Sequence, residues 1–197
     1  GCVPEARKRA YDVRPLIETL ADEDSVLELR AGFGPALVTA LIRLEGRACG
    51  VMANVAAVNG GALDRDEADK AARFMQLCDA YDLPIISLID TPGFMVGPDA
   101  ETRANVRHFS RMFLVGAGLN TPYLSVILRK AYGLGAMAMA GGSFHESSQM
   151  TLSWPSGEFG AMGLEGAARL GFRKELEAIE DLDAREARYR EIVDGMY

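Results

Sequence analysis

The spacing of hydrophobic positions changes several times along the chain, and each change predicts an element. Residues 4–24 are mostly charged and read as an arm. Within it Val13, Leu16, Ile17 and Leu20 recur at helical spacing, predicting a short helix over 14–20. Residues 26–30 (VLELR), 35–45 (PALVTALIRLE) and 48–54 (ACGVMAN) read as strands, and the Glu45-Gly46-Arg47 turn joins the last two as a hairpin. Over 65–82, Ala68, Ala71, Ala72, Met75 and Cys78 fall on one helical face, with acids crowding the first turn where the helix dipole favours them. The apolar, β-branched run in 83–94 (LPIISLIDTPGF) ends abruptly at Thr91-Pro92-Gly93, as a buried parallel strand does. A helix is expected over 100–118, a buried strand over 122–129 (PYLSVILR), a helix from Gly133 to Met139 and a strand over 150–154. From Leu164 to Met196 the chain reads as mostly helical and charged.

Strand and helix therefore alternate, which predicts an α/β fold with a mainly parallel sheet covered by helices. In such sheets ligands sit at the carboxyl ends of the strands. Two glycine-bearing loops lie there, 91–97 (TPGFMVG) and 130–136 (KAYGLGA).

Composition narrows the class. The chain has 197 residues, 49% hydrophobic and 25% charged, which suits one cored domain; an arm over 1–24 followed by a domain over 25–197 is the expected division. The net charge is −7 without a basic stripe, so nucleic acid is not an expected partner. There is no apolar run of about 18 residues, so no membrane span is expected. The start, Gly1, Cys2, Val3 and Pro4, does not read as a signal peptide. Cys2, Cys49 and Cys78 form no CxxC and, with His108 and His145, no ligand cluster. Reduced thiols in a cytoplasm fit better than zinc or disulfides.

Both loops run from a buried strand into a helix. Glycine lets the backbone turn sharply and lets a ligand approach it. The first N–H groups of a helix have no internal acceptor. Side by side, two such loops can aim N–H groups at one oxygen and stabilise a developing negative charge. Glycine turns of this kind are more often purely structural. No GxSxG, Walker loop or complete GxGxxG is present. His108 reads as packing or surface, His145 as a loop residue, and Asp90 as structural, accepting loop N–H bonds. Asp64, Asp66, Glu67 and Asp69 read as a solvated first helical turn, and Met137 and Met139 as core. A site poor in side-chain chemistry but rich in backbone donors suits a reaction whose base arrives with the substrate or cofactor.

At these loops the chain resembles a known family. Residues 67–98, the pair Arg107-His108, residues 128–142 (LRKAYGLGAMAMAGG), 154–167 (WPSGEFGAMGLEGA) and 172–177 (FRKELE) are similar, in order, to the carboxyltransferase (β) subunits of propionyl-CoA and related acyl-CoA carboxylases. The resemblance covers roughly residues 4–195. It implies a crotonase-like fold and identifies this chain with the carboxyl-terminal, biotin-binding half of a longer subunit. The amino-terminal half of that subunit binds the acyl-CoA thioester, and the site lies between halves of different subunits. The implied reaction moves a carboxyl group from carboxybiotin, borne on a biotinyl carrier and loaded by an ATP-dependent biotin carboxylase, to the α-carbon of an acyl-CoA. No metal takes part at this site.

By motif position, the N–H groups of Leu134 and Gly135 form the oxyanion hole, with Val96 and Gly97 beside it. Gly93, Phe94, Met95, Gly133 and Ala136 border the biotin, and Met137 lies near the acyl group. The resemblance also implies a homo-oligomer, at least a dimer and a hexamer in the full enzyme. The chain stops at Tyr197, short of its relatives, and the excised half is expected to bind biotin weakly, catalyse little alone and self-associate. It departs from the family pattern at Asn54-Val55-Ala56 and in the polar segment 143–150.

Three other readings compete. A hydratase or isomerase of the same superfamily would want acids near the loops, and no convincing Glu pair stands there. A biotin-dependent decarboxylase would keep both loops. A non-catalytic assembly subunit would carry bulky residues in them, whereas Gly133 and Gly135 are intact.

Overall fold

The computed structural model describes residues 2–4, 6, 9–143 and 149–196. The chain divides into two compact units, Gly1–Phe159 and Gly160–Tyr197. The first begins with helix α1 (Arg14–Leu20) and continues through β1 (Leu27–Leu29), β2 (Leu37–Leu44), β3 (Arg47–Asn54), α2 (Arg65–Ala80) and β4 (Ile85–Thr91). It then forms α3 (Pro98–Thr102), α4 (Asn105–Ala117), β5 (Tyr123–Tyr132), α5 (Gly133–Met139), β6 (Gln149–Ser153) and β7 (Glu158–Gly160).

The strands form one sheet in the order β1-β2-β3-β4-β5-β6, with β7 also paired to β5. β1, β2 and β3 are antiparallel, and β3, β4, β5 and β6 run parallel. The fold is thus α/β with a mixed, mostly parallel sheet. The β2–β3 hairpin turns through Glu45 (φ 50°) and Gly46 (φ 78°), two left-handed residues, as a tight right-twisted hairpin requires.

The pleat sorts side chains onto two faces. Leu37, Met52, Ile85, Ile89, Tyr123 and Ile127 join a core with Ala68, Ala71, Met75 and Cys78 of α2, Phe109 and Met112 of α4, and Ala136 and Met139 of α5. Val38, Ala40, Ile42, Val51, Ala53, Ile86 and Leu88 form the opposite core, which is completed by Val13 and Ile17. These last two are almost fully buried. The charged stretch expected as an arm over 1–24 therefore supplies part of this core.

Three expectations need correction. The helix over 100–118 is two helices, α3 and α4, broken where Ala104 takes a left-handed φ of 54°. β5 runs on through Lys130, Ala131 and Tyr132, and the short β7 went unanticipated. Glu67 is not solvated: it is 4% exposed, and its carboxylate accepts from Ala36 N (3.1 Å) and from Asp64 N (3.2 Å), closing a capping box at the start of α2.

The second unit holds α6 (Leu164–Gly171), α7 (Arg173–Glu177) and α8 (Leu182–Gly195) around Ala168, Leu176, Ile192 and Val193. Its surface carries the ion pairs Arg173–Glu177 and Arg190–Glu186, both at i,i+4 spacing.

Candidate functional site

The site grows from the carboxyl ends of β4 and β5. The two strands pair in register from Ile85↔Tyr123 to Ile89↔Ile127, and the next pair is Thr91↔Ala131. β5 thus advances four residues while β4 advances two. That irregularity holds a buried charge cluster. Asp90 and Arg129 are both fully buried and meet at 2.8 Å, and Lys130 Nζ reaches the other Asp90 oxygen at 3.1 Å. Arg129 also donates to the carbonyls of Ala6 (3.0 Å) and Arg9 (2.9 Å) and lies 4.7 Å from the Tyr11 ring centroid. The Asp90 carboxylate, expected to accept loop N–H bonds, is instead held mainly by side chains of the neighbouring strand; one backbone N–H, that of Lys130 in β5, reaches it at 3.3 Å.

Beyond the cluster the chain leaves β4 as Thr91-Pro92-Gly93. Gly93 has φ 117°; its N–H donates to Thr91 Oγ1 (3.1 Å), and its carbonyl accepts from Leu63 N (3.0 Å). Met95 N donates to Leu63 O (2.8 Å), so the loop is pinned as a one-bridge strand. The chain leaves β5 through Gly133 (φ 60°) directly into α5, whose N-cap residue Tyr132 makes no side-chain cap. The first-turn N–H groups of α5 are left for another acceptor. Tyr132 instead donates from its hydroxyl to Glu158 Oε2 at 2.6 Å.

The two loops touch. A Cβ built on Gly135 would lie 2.6 Å from Gly93 C, 2.7 Å from Gly93 Cα and 2.8 Å from Phe94 N. A Cβ on Gly93 would lie 3.1 Å from the Tyr132 carbonyl oxygen. Only a bare backbone fits at both places. Gly93, Gly135 and Ala136 are buried, Gly133 and Gly97 half-buried, and Leu134, Met95, Val96 and Met137 exposed. Val96, at 87%, projects freely. Phe94 differs from its neighbours: its ring stacks on Phe109 at 4.0 Å and meets Phe113 edge-on at 6.3 Å, so the ring serves the core. Gly97 (φ 119°) opens α3, with Pro98 in its first turn.

Other candidates fall away from the loops. His108 Nδ1 is 2.8 Å from Asp69 on α2, and Arg111 takes the other Asp69 oxygen. His145 lies outside the described residues. Among the described residues no group of three or more His, Cys, Asp or Glu is placed to hold a metal ion, and no helix is long and apolar enough to cross a membrane. Residue-by-residue reading missed Arg129, Lys130, Tyr132 and Glu158. Their signal was weak: two adjacent cations at the end of a buried run, a tyrosine before a glycine and an acid after another, joined only by the fold.

A mostly parallel sheet whose adjacent strand ends deliver two interlocked glycine loops, one opening a helix, defines a crotonase-like domain. The chain belongs to the carboxyl transferase domain family, whose model matches residues 1–194. It is 40% identical over 185 residues to the methylmalonyl-CoA carboxyltransferase 12S subunit of Propionibacterium freudenreichii subsp. shermanii, covering 94% of this chain and 35% of that one. Among solved structures it is similar to a single-chain, multi-domain long-chain acyl-CoA carboxylase (53% identity, TM-score 0.89, 100% of this chain and 19% of that one). It is also similar to a transcarboxylase 12S hexamer with methylmalonyl-coenzyme A and methylmalonic acid bound (38% identity, TM-score 0.87, 100% and 37%). The chain spans about a third of the length of the curated relatives it matches.

Proposed function

We propose that this chain is the biotin-facing half of an acyl-CoA carboxyltransferase, completed by an amino-terminal half that holds the acyl-CoA thioester. The carrying observation is the interlock of Gly135 with Gly93 and Phe94. It keeps two backbone turns in contact with no side chain between them. A fused-ring urea offers a flat polar edge with a carbonyl oxygen, and a cleft walled by bare backbone fits such a group. Biotin, when bound, carries the labile carboxyl group and supplies a ureido oxygen on which negative charge can rest.

The chain's own residues then have definite tasks. The N–H groups of Leu134 and Gly135 donate to that oxygen, fixed in direction by α5. In a site closed to water such pre-set donors stabilise charge without reorganising. Val96 and Gly97 flank the hole, and Met95 and Ala136 line the approach. Met137, exposed on the first turn of α5 after the hole, meets the acyl chain. Asp90, Arg129 and Lys130 hold the two strand ends in the offset register that brings the loops together.

The biotin is delivered on a carrier loaded by a biotin carboxylase, and the subunit works as an oligomer, in keeping with the hexamer of the 12S relative. All three cysteines are free, which fits the reducing cytoplasm. The test is the half-reaction. The full-length subunit, given methylmalonyl-CoA labelled in its free carboxyl group, should pass label to added biotin without ATP. A folded subunit that passes none would overturn the proposal.

A further inference from the structure

On the β1–β2 edge of the sheet, beneath α2, lies a cavity of about 390 Å³. It is lined by Leu29, Arg30, Thr39, Lys70, Arg73, Phe74, Gln76 and Leu77 and shares no residue with the glycine loops. Its volume is in the range of small-molecule sites. Three of its lining residues are cationic and none is a carboxylate, in a chain whose net charge is −7.

The two arginines are not neutralised locally, and Lys70 feels Glu28 and Glu67 only at a distance, without an ion pair to either. Arg30 and Arg73 are exposed and make no ion pair with any described residue. Lys70 is 1% exposed and gives its ammonium group to the carbonyls of Leu37 (2.6 Å) and Gly34 (3.3 Å). An ammonium has three N–H donors, so two acceptors leave one over. The nearby carboxylates are committed elsewhere. Glu28 is held by both Arg14 Nε and an Arg14 terminal nitrogen at 2.8 Å, and Glu67 accepts from Ala36 and Asp64. Burial lowers the pKa of Lys70, so its charged form gains from a nearby anion. Arg30, which closes β1, sits in the left-handed region at φ 56°.

We infer that the cavity formed by Arg30, Lys70 and Arg73 is a binding site for a small phosphate ester. The two exposed guanidinium groups would grip the phosphate, for which their fork geometry is suited. Leu29, Phe74 and Leu77 provide an apolar wall for the organic body. Concavity and a buried ammonium favour a small molecule over an acidic protein segment. The inference does not rest on the carboxyltransferase reading.

The test is isothermal titration of the full-length subunit with AMP, inorganic phosphate, adenosine and an oligoglutamate peptide. AMP should bind saturably and be displaced by phosphate, and adenosine should not bind. Arg30→Gln and Arg73→Gln should each weaken AMP about tenfold or more, the worth of one charged hydrogen bond. Both side chains are exposed, so both variants should keep the parent melting temperature. Absence of AMP and phosphate binding would overturn the inference. So would AMP binding that survives both substitutions, equal binding of adenosine, or binding of the peptide alone.

Discussion

Gly135 lies against Gly93 so closely that a single added methyl group would sit 2.7 Å from the Gly93 Cα and 2.6 Å from its carbonyl carbon. The atoms in the way are backbone, which cannot swing aside as the end of a side chain can. Gly135→Ala must therefore push the two loops apart and tilt the Leu134 and Gly135 N–H groups. Losing one such donor costs about 10²–10³ in rate. Carboxyl transfer by the full-length Gly135→Ala subunit should fall by about that factor. Gly46→Ala is the comparison. Gly46 also has positive φ, but nothing lies within 4 Å of its Cβ position, and it sits in the hairpin turn. It should cost about 1 kcal/mol of stability or more with kcat unchanged. Equal kcat losses in the two variants would show that strain, not the interlock, is being measured.

The Asp90–Arg129 pair gives a stability prediction. Both side chains are fully buried, so removing Asp90 leaves the Arg129 charge uncompensated, at a cost of about 3–5 kcal/mol, while removing Arg129 leaves Asp90 with Lys130 alone and costs less. Arg129→Met and Asp90→Asn should each lower the urea midpoint of the full-length subunit. The double variant should lose less than the sum of the two, because the partners share one interaction. Additive losses would show that the two groups act separately.

Thiol reactivity follows burial. Cys2 is exposed, while Cys49 and Cys78 are buried. Burial raises both buried thiols, Cys78 to about 12 from its ordinary 9.0. At pH 8 iodoacetamide should label Cys2 and spare Cys49 and Cys78 until denaturant is added, as peptide mass mapping would show. The sign for stability follows from the raised value. Below about pH 9 the Cys78 thiol is neutral in both folded and unfolded chains and changes nothing. Between about pH 9 and 12 the unfolded chain loses the proton first, so the folded state loses stability as pH rises. Cys78→Ala should flatten that alkaline decline.

Met137 is the residue through which acyl preference should be tuned. It is 38% exposed, one position beyond Ala136. Met137→Ala should shift the ratio of kcat/KM between a longer acyl-CoA and propionyl-CoA toward the longer chain, by about tenfold for each methylene accommodated. The melting temperature should hardly move. An unchanged ratio would place the acyl chain elsewhere.

Much of the fold is legible in the order of the residues because the relevant signals are local. The apolar runs in 35–54 and the glycine turn at 46 require only neighbours, and so does the alanine face of α2. The strand end at Thr91 is legible because Pro92-Gly93 breaks a buried run, whereas the end of β5 lies at Tyr132, three residues past the expected Arg129. What was hidden depends on contacts distant in sequence. Nothing local says that Ala104 turns left-handed, or that Glu67 leaves the solvated face of α2 to receive Ala36 N. The charged stretch before residue 25 reads as an arm because its polar residues outnumber Val13 and Ile17, yet those two are the ones that fold inward. In the site, the glycines announced themselves, but their interlock did not. It accompanies a strand offset at which Asp90 and Arg129 pair, 39 residues apart.

The most direct test of the central claim uses the full-length subunit with its biotin carboxylase and biotinyl carrier. ATP-dependent incorporation of labelled bicarbonate would be measured across a panel of acyl-CoAs, from acetyl and propionyl to longer chains. Incorporation into at least one acyl-CoA, lowered about 10²–10³-fold in Gly135→Ala while carrier carboxylation continues, is the predicted result. No incorporation into any acyl-CoA, despite a carboxylated carrier, would contradict the account and point to a decarboxylase or a non-catalytic relative.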